Sequence, residues 1–438
     1  MDGGFLATHS TYDRSVFYRH PGHTELGLVS DGGSITTRKR YYAFTAFISP
    51  SSTGAWTSSL RSVQTYFPTW RVFSTTPEKG YEPALTSVSS LQTSIDTFKP
   101  FTIGQVSLGL ALNKNVSSWL KTAYPRNKEV RVYAGLTDLA EADYISYYRG
   151  NVEDWSFGQK REVSISLRDF SKTWKDVPVP STWTVAGGPG VGDDLTYAAK
   201  HPVDVMLDII QGYIGAPTKA IDGNSFGTVK MELPGWIVTN TLTGKIFDAK
   251  DLLEELRFLT GTYFIPQYDG RIKLKRWDKT ETSVLSLTDD DMIDVAYKGN
   301  SISLMNLLNW YFNIKTDGTA KSGGISLHQE QDGASQFHWG EKKSFEFKDY
   351  WTLTDQETGQ VTPVASAILE RFSSVPDVIS FSLDLRFIAL EVGDMVDLTT
   401  KIAPSTDLSG ISAIKYQITR KDLDFQKSRI KLEVLRAA

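Results

Sequence analysis

Hydrophobic and polar positions alternate with period two along much of this chain. Val130-Arg131-Val132-Tyr133 and Val163-Ser164-Ile165-Ser166-Leu167 follow that pattern. So do Phe381, Leu383, Leu385 and Phe387 against Ser382, Asp384 and Arg386, and Val396 and Leu398 about Asp397. Successive side chains of a strand point to opposite faces, so this spacing predicts half-buried strands. Apolar runs at Tyr41–Ile48 and Trp70–Phe73 predict two more, and Tyr416, Ile418, Ile430, Leu432 and Val434 predict a strand pair. Gly150-Asn151-Val152 and Phe157-Gly158-Gln159-Lys160 read as turns between strands.

The middle third changes period. Pro202 stands at a helix start, with Val203, Met206, Leu207, Ile210 and Ile214 at helical spacing. Asp248 to Asp251 can cap a second helix carrying Leu252, Leu253, Leu256 and Leu259, and Gly261 is placed to end it. Tyr263–Tyr268 and Arg271–Trp277 then flank Asp269-Gly270, a strong hairpin signal. A further helix opens near Pro363 and puts Ile368, Leu369 and Phe372 on one face. Val177-Pro178-Val179-Pro180 and the glycine-rich 187–192 read as a linker or long loop. Residues 1–40, rich in Gly, Ser, Thr and His and ending in Arg38-Lys39-Arg40, read as an arm. The expected fold class is mainly β with an α+β insert. Its divisions are an arm at 1–40, a β domain at 41–185, the insert at 186–284 and a second β domain at 285–438.

A weak internal repeat sharpens this division. Asp154-Trp155-Ser156-Phe157 followed by Val163–Leu167 makes one hairpin. Asp422-Leu423-Asp424-Phe425 followed by Ile430–Val434 makes another. Each closes a β-rich region, as two copies of one barrel would.

Composition adds exclusions. At about 150 residues per domain, 438 residues suggest about three domains. With zero cysteines the chain has no disulfides, thiolate zinc sites, iron–sulfur clusters or cysteine nucleophiles. A net charge of −4 argues against non-specific wrapping of nucleic acid, whose affinity comes from neutralised phosphates. Met1 is followed by Asp2-Gly3-Gly4, with no basic and apolar leader, and no apolar run approaches the ~18 residues that span a bilayer. The expectation is a soluble protein made in a cytoplasm, with no membrane-spanning segment.

Candidate chemistry is sparse. Gly223-Asn224-Ser225-Phe226-Gly227 matches G-x-S-x-G, but a nucleophile elbow needs a strand before it and a helix after it. Thr228–Leu233 reads as a strand, so the motif is expected to be a glycine-rich turn and Ser225 not catalytic. The 187–192 run lacks the Lys-Ser/Thr of a phosphate-binding loop. His9, His20 and His23 cluster in the arm, while His201, His328 and His338 are scattered. Asp289-Asp290-Asp291 lacks the spacing of a calcium loop and reads as a turn or helix start with solvated carboxylates. The chain holds 11 Trp, 19 Tyr and 22 Phe. Such content could bind sugars, yet Trp56, Trp70, Trp155, Trp236, Trp277, Trp310, Trp339 and Trp351 mostly neighbour other apolar residues, as packing aromatics do. The expectation is a protein that is not an enzyme, with no catalytic, cofactor-binding or metal-ligating residues and no cofactor.

Several segments carry a resemblance. They are Val130–Tyr133, Arg149–Trp155 and Val163–Asp169, then His201–Leu207 and Asp248–Leu253, then Leu390-Glu391-Val392-Gly393-Asp394 through Leu398 and Tyr416–Thr419. In that order they are similar to the baseplate hub, or tail-tip hub, proteins of tailed bacteriophages. The Gly393-Asp394 turn and the helix–hairpin at 248–277 are the most telling pieces. The resemblance spans about residues 85–438. It implies two tail-tube-like β-barrel or sandwich domains around the helix-bearing insert. It also implies a structural virion protein at the distal end of a long non-contractile tail, assembled as a trimer that matches six-fold tube symmetry with six barrels. DNA would pass through its lumen without specific binding, which an acidic balance suits. The implied partners are further copies of the chain, a distal tail or tail tube protein, a tape measure protein and tip or fibre proteins. Two alternatives stay open: a distal tail protein forming a hexamer, and a receptor- or glycan-binding tail-tip protein.

Overall fold

The computed structural model describes residues 42–48, 71–74, 84–95, 105–136, 144–180 and 195–437, the last three stretches with short breaks. The predicted arm, the glycine-rich 187–192 loop, His9, His20, His23, Trp56 and Trp70 lie outside the described residues.

The first region supplies strands β1 (Tyr42–Ile48), β2 (Arg71–Ser74), β3 (Leu85–Val88), β4 (Leu91–Ser94) and β5 (Gln105–Ala111), then helix α1 (Lys114–Ala123). Strands β6 (Glu129–Leu136), β7 (Ile145–Phe157) and β8 (Glu162–Arg168) complete it. Seven of these strands form one sheet in the order β2-β1-β6-β7-β8-β5-β3. Gly150 and its neighbours do not turn; they lie inside β7. A Cβ at Gly150 would stand 2.2 Å from the Arg168 carbonyl oxygen, so this glycine permits a close backbone approach.

The middle region runs β9 (Pro178–Val179), β10 (Leu195–Lys200), α2 (Pro202–Asp208), α3 (Gly223–Glu232), β11 (Val238–Leu242), β12 (Phe247–Asp248), α4 (Ala249–Thr260), β13 (Thr262–Pro266) and β14 (Ile272–Arg276). The expected linker at Val177–Pro180 is structured, since β9 pairs with β12 and Val179 is buried. Gly261 ends α4 in the left-handed conformation at φ 63°, as its position implied. The G-x-S-x-G segment opens helix α3, where a strand was expected to follow it. Val229, Met231 and Leu233 alternate in sequence, but the buried positions are Phe226, Val229 and Leu233, at helical spacing, and Met231 is exposed.

The last region contains β15 (Leu285–Thr288), β16 (Ile293–Gly299), β17 (Leu307–Phe312), β18 (Ser326–Gln331), α5 (Gly333–Trp339), β19 (Ser344–Lys348), α6 (Thr362–Phe372), β20 (Asp377–Asp384), β21 (Met395–Thr400), β22 (Ile411–Asp424) and β23 (Arg429–Arg436). Its main sheet is ordered β15-β21-β22-β23-β20-β16. The alternation at 381–387 does not continue as one strand. It breaks at Asp384, whose carboxylate accepts from the Arg386 N–H and starts a 3₁₀ turn at Leu385–Phe387.

The two sheets follow one plan. Spatial orders are β6-β7-β8-β5 and β21-β22-β23-β20, all antiparallel, from chain orders β5-β6-β7-β8 and β20-β21-β22-β23. Helix α1 joins the first two strands in one copy, and the 3₁₀ turn does so in the other. Both long strands shift register at matching places. Strand β7 does so between Val152 and Asp154 against β8, and β22 between Ile418 and Arg420 against β23. Such bulges bend and twist a strand, and the result is two mainly β half-barrel sheets that curl.

Two hydrophobic cores divide the molecule. One joins the inner faces of both sheets, from Val106, Val132 and Ile165 to Phe381, Ile418 and Leu432. The second gathers Trp174, Met206, Phe226, Leu253, Phe264, Trp310, Trp351 and Ile368. Residues 305–372, including β17 and α6, therefore pack with the middle elements, although they fall inside the segment 285–438.

Candidate assembly interface

The two halves of the chain are joined by an exchanged strand. β4 does not pair in its own sheet; it lies antiparallel on β22, with Leu91 opposite Leu423 and Ser94 opposite Arg420. The Ile95 N–H donates to the Thr419 carbonyl at 2.9 Å and starts this ladder just past the bulge of β22. The Tyr147 hydroxyl, on the other sheet, lies 2.8 Å from the Ser89 carbonyl oxygen and 3.2 Å from that of Leu423. Burial raises the pKa of this phenol and keeps it protonated.

Lys421 is buried beneath the same junction. Its ammonium donates to the Ile388 and Leu390 carbonyls, each at 2.6 Å. Desolvation is the largest influence on it and pulls its pKa down to about 7, against the opposing pull of Glu391 and Asp394.

The β13–β14 hairpin is buried on both faces. Tyr263 and Ile265 join the core of the two sheets, while Phe264, between them, joins the second core. Alternation along one strand thus welds two cores together. Lys273 pairs with Glu391 at 2.7 Å and Lys275 with Asp394 at 3.0 Å. Gly393, at φ 90°, lies where a Cβ would come within 3.2 Å of the Ile265 side chain. At the hairpin tip a Cβ on Gly270, at φ 81°, would meet Arg149 of β7 at 2.8 Å. The Gly393-Asp394 turn and the 248–277 helix–hairpin, singled out separately in the sequence, are therefore in contact. Arg371 of α6 adds a tie by donating to the Tyr263 hydroxyl at 3.2 Å and to Gln417 Oε1 at 2.7 Å.

Residues weighed for chemistry have structural partners. The Ser225 hydroxyl is part-buried, donates to the Asp222 carbonyl at 2.8 Å and accepts from the Leu274 N–H at 3.1 Å, so it fastens α3 to β14. Asp291 accepts from Arg386 at 2.8 Å and Asp289 from the Lys401 N–H at 3.1 Å, so two of the three turn carboxylates expected in solvent are engaged. His201 caps α2 through the Val203 N–H, His328 lies between Glu357 and Glu330 at 3.0 and 3.1 Å, and His338 packs edge-on against Trp339. Trp310 and Trp351 are fully buried, Trp236 is buried and Trp155 and Trp277 are partly buried, whereas Trp339 is exposed.

A buried polar centre holds the second core. Asp349 accepts from the Trp310 indole at 3.1 Å and the Trp351 N–H at 2.7 Å. The Trp351 indole donates to Glu255 at 3.0 Å. Desolvation raises the Glu255 pKa to about 8 and lowers that of Lys321 to about 8. Lys321 donates to the Thr239 and Tyr350 carbonyls, so its charge is spent on backbone. Among the described residues, no three His, Asp or Glu side chains converge as a metal site, and no helix is long and apolar enough to cross a membrane.

No known protein-family description and no curated protein matches this chain by sequence. Solved structures do match it by fold. The tail protein from Neisseria meningitidis MC58 superposes with a TM-score of 0.50 at 11% identity, covering 81% of this chain and 96% of that one. The 43 kDa tail protein of prophage MuSo2 from Shewanella oneidensis gives 0.47 at 11% identity, covering 80% and 92%. The prophage tail protein gp18 from Listeria monocytogenes EGD-e gives 0.43 at 12% identity, covering 80% and 89%. The chain shares the fold of the Neisseria tail protein over most of its length.

Proposed function

We propose that this chain is a structural, non-enzymatic tail protein of a phage virion, acting as the baseplate hub at the distal end of the tail. Three copies form a ring in which each contributes two half-barrels, so that six matching units continue a six-fold tube around the DNA passage. Each copy then comprises a first barrel, a second barrel, and one insert assembled from the middle elements together with β17 to α6. The insert faces tip or fibre proteins, while the ring meets the distal tail or tube protein and the tape measure protein.

The duplicated strand plan, with β4 of one half added to β22 of the other, is the observation that carries this reading. It supplies two equivalent units per chain with a fixed relation between them, which is what a trimer needs to imitate a hexamer. The fold shared with the Neisseria tail protein supports the coarser part of this reading, a structural tail protein. Copy number decides it. Quantitative mass spectrometry of assembled particles is expected to give three copies per tail. Six copies would instead fit a distal tail ring using one barrel per chain.

A further inference from the structure

Within the insert, His328 of β18 is held between two carboxylates. Its Nδ1 lies 3.0 Å from Glu357 Oε1 and its Nε2 lies 3.1 Å from Glu330 Oε2. The ring is mostly buried and both glutamates are partly exposed. Glu330 stands on the same strand, whereas Glu357 opens the π-helical turn Glu357–Val361 that leads into α6. The contact therefore joins β18 to that turn, beside a hydrogen bond of 3.2 Å between the Ser326 and Thr354 hydroxyls.

A neutral imidazole carries one N–H and one lone pair. With a neutral ring, one of the two contacts would set that lone pair against a carboxylate oxygen. Only the doubly protonated ring donates to both, and such charge-assisted bonds are the stronger kind. Neighbouring groups are otherwise engaged. β17 offers Leu308, Trp310 and Phe312 opposite Glu330, His328 and Ser326, and none of the three is ionisable. Asp349 is taken up by the Trp310 indole and by the Trp351 and Thr352 N–H groups. Asp355, on the turn, is exposed. On α6, Glu370 pairs with Lys279, and Arg371 donates to Tyr263 and Gln417.

The turn itself is weakly held. Gln356 Nε2 and Gln360 Oε1 are buried without a hydrogen-bond partner among the described residues, whereas buried polar atoms are normally paired. A π-helical turn is also a rare local form, found mostly where a helix does more than pack. A contact from outside the turn therefore matters to it.

We propose that His328 is a proton-operated clamp: with both ring nitrogens protonated it fastens β18 to the turn before α6, and loss of one proton loosens that fastening. The clamp goes beyond the ring reading above and does not depend on copy number. β18 runs through Asp332 into α5, so the clamp governs how firmly the outer part of the insert is held to α6.

Hydrogen exchange read by mass spectrometry tests it, at pH 5 and pH 9, on either side of the ordinary imidazole value of about 6.5. Rates are divided by the intrinsic rate at each pH, so that protection is compared. At pH 5, peptides covering 326–331 and 354–361 are expected to be about three- to tenfold better protected in the wild type than in His328→Gln, the range for charge-assisted bonds at a partly exposed site. At pH 9 the two proteins should agree. Glu357→Gln supplies the second arm. Its amide can donate to the lone pair of a neutral ring, so at pH 9 it should be better protected than the wild type in the same peptides. A deficit in His328→Gln that persists at pH 9 would make the ring a packing group and overturn the clamp. So would the absence of any deficit at pH 5, or a Glu357→Gln protein no better protected than the wild type at pH 9.

Discussion

Strands β7 and β22 are near twins in topology and opposites in environment. Each is the long first arm of a hairpin, is bulged at a matching place, and faces a partner strand with a buried apolar pattern of the same period. Yet β22 buries Lys421 and Leu423 under β4, while β7 leaves Ser156 and Phe157 in solvent. Local sequence does not set that difference, because a phenylalanine is as able to be buried as a leucine. It comes from a strand that the first half donates to the second and from which its own sheet does not benefit. A fold duplicated along one chain can thus close an edge of one copy with a strand from the other copy.

Truncation should expose this contrast most strongly. In the isolated chain, Leu423→Ala is expected to cost about 2–5 kcal/mol in urea unfolding, the range for emptying a packed aliphatic site. Phe157→Ala, its counterpart, should stay within about 0.5 kcal/mol. Equal losses at the two positions would break the comparison.

The next effect lies in pH. Lys421 has a folded pKa of about 7, below its ordinary value of 10.5, because it is buried. Between those values the unfolded chain holds a proton that the folded chain has released, so this residue makes stability rise with pH. The rise is at most about 1.4 kcal/mol per pH unit for one proton. Lys421→Met should remove it: the stability difference, wild type minus variant, grows from pH 7 to pH 9 and is flat below pH 6. A pH-independent difference would mean that the buried lysine does not titrate as this junction requires.

The smallest effect is expected at the hairpin wedge. The Lys273–Glu391 pair is about a quarter exposed on each side. Lys273→Ala should therefore cost no more than about 1 kcal/mol in the same unfolding assay. A larger loss would shift the weight of the wedge from the packing of Tyr263, Ile265 and Phe264 to its charges.

Much of the fold was legible because strand alternation and helix capping are local. The segments around Val163–Leu167, Pro202, Asp248–Gly261 and Asp269-Gly270 adopt the elements their spacing implies. Misreadings arose where tertiary contact outweighed pattern. Gly150 looks like a turn residue but serves a close approach to Arg168, and the α3 segment alternates like a strand while packing Phe226, Val229 and Leu233 on one helical face. The repeated hairpins were visible as a motif, which is why the two-sheet plan was within reach. The β4 exchange was not, because Leu91-Gln92-Thr93-Ser94 pairs with residues more than three hundred positions away and nothing in its own composition names them. The exposure of the Phe157 side chain was hidden for the same reason: it depends on what packs beside a residue, not on the residue itself.

A cryo-EM map of the assembled tail end tests the central claim most directly. The account predicts a ring of six half-barrels from three chains, with first and second halves alternating. A ring of six chains each contributing one half-barrel would contradict it.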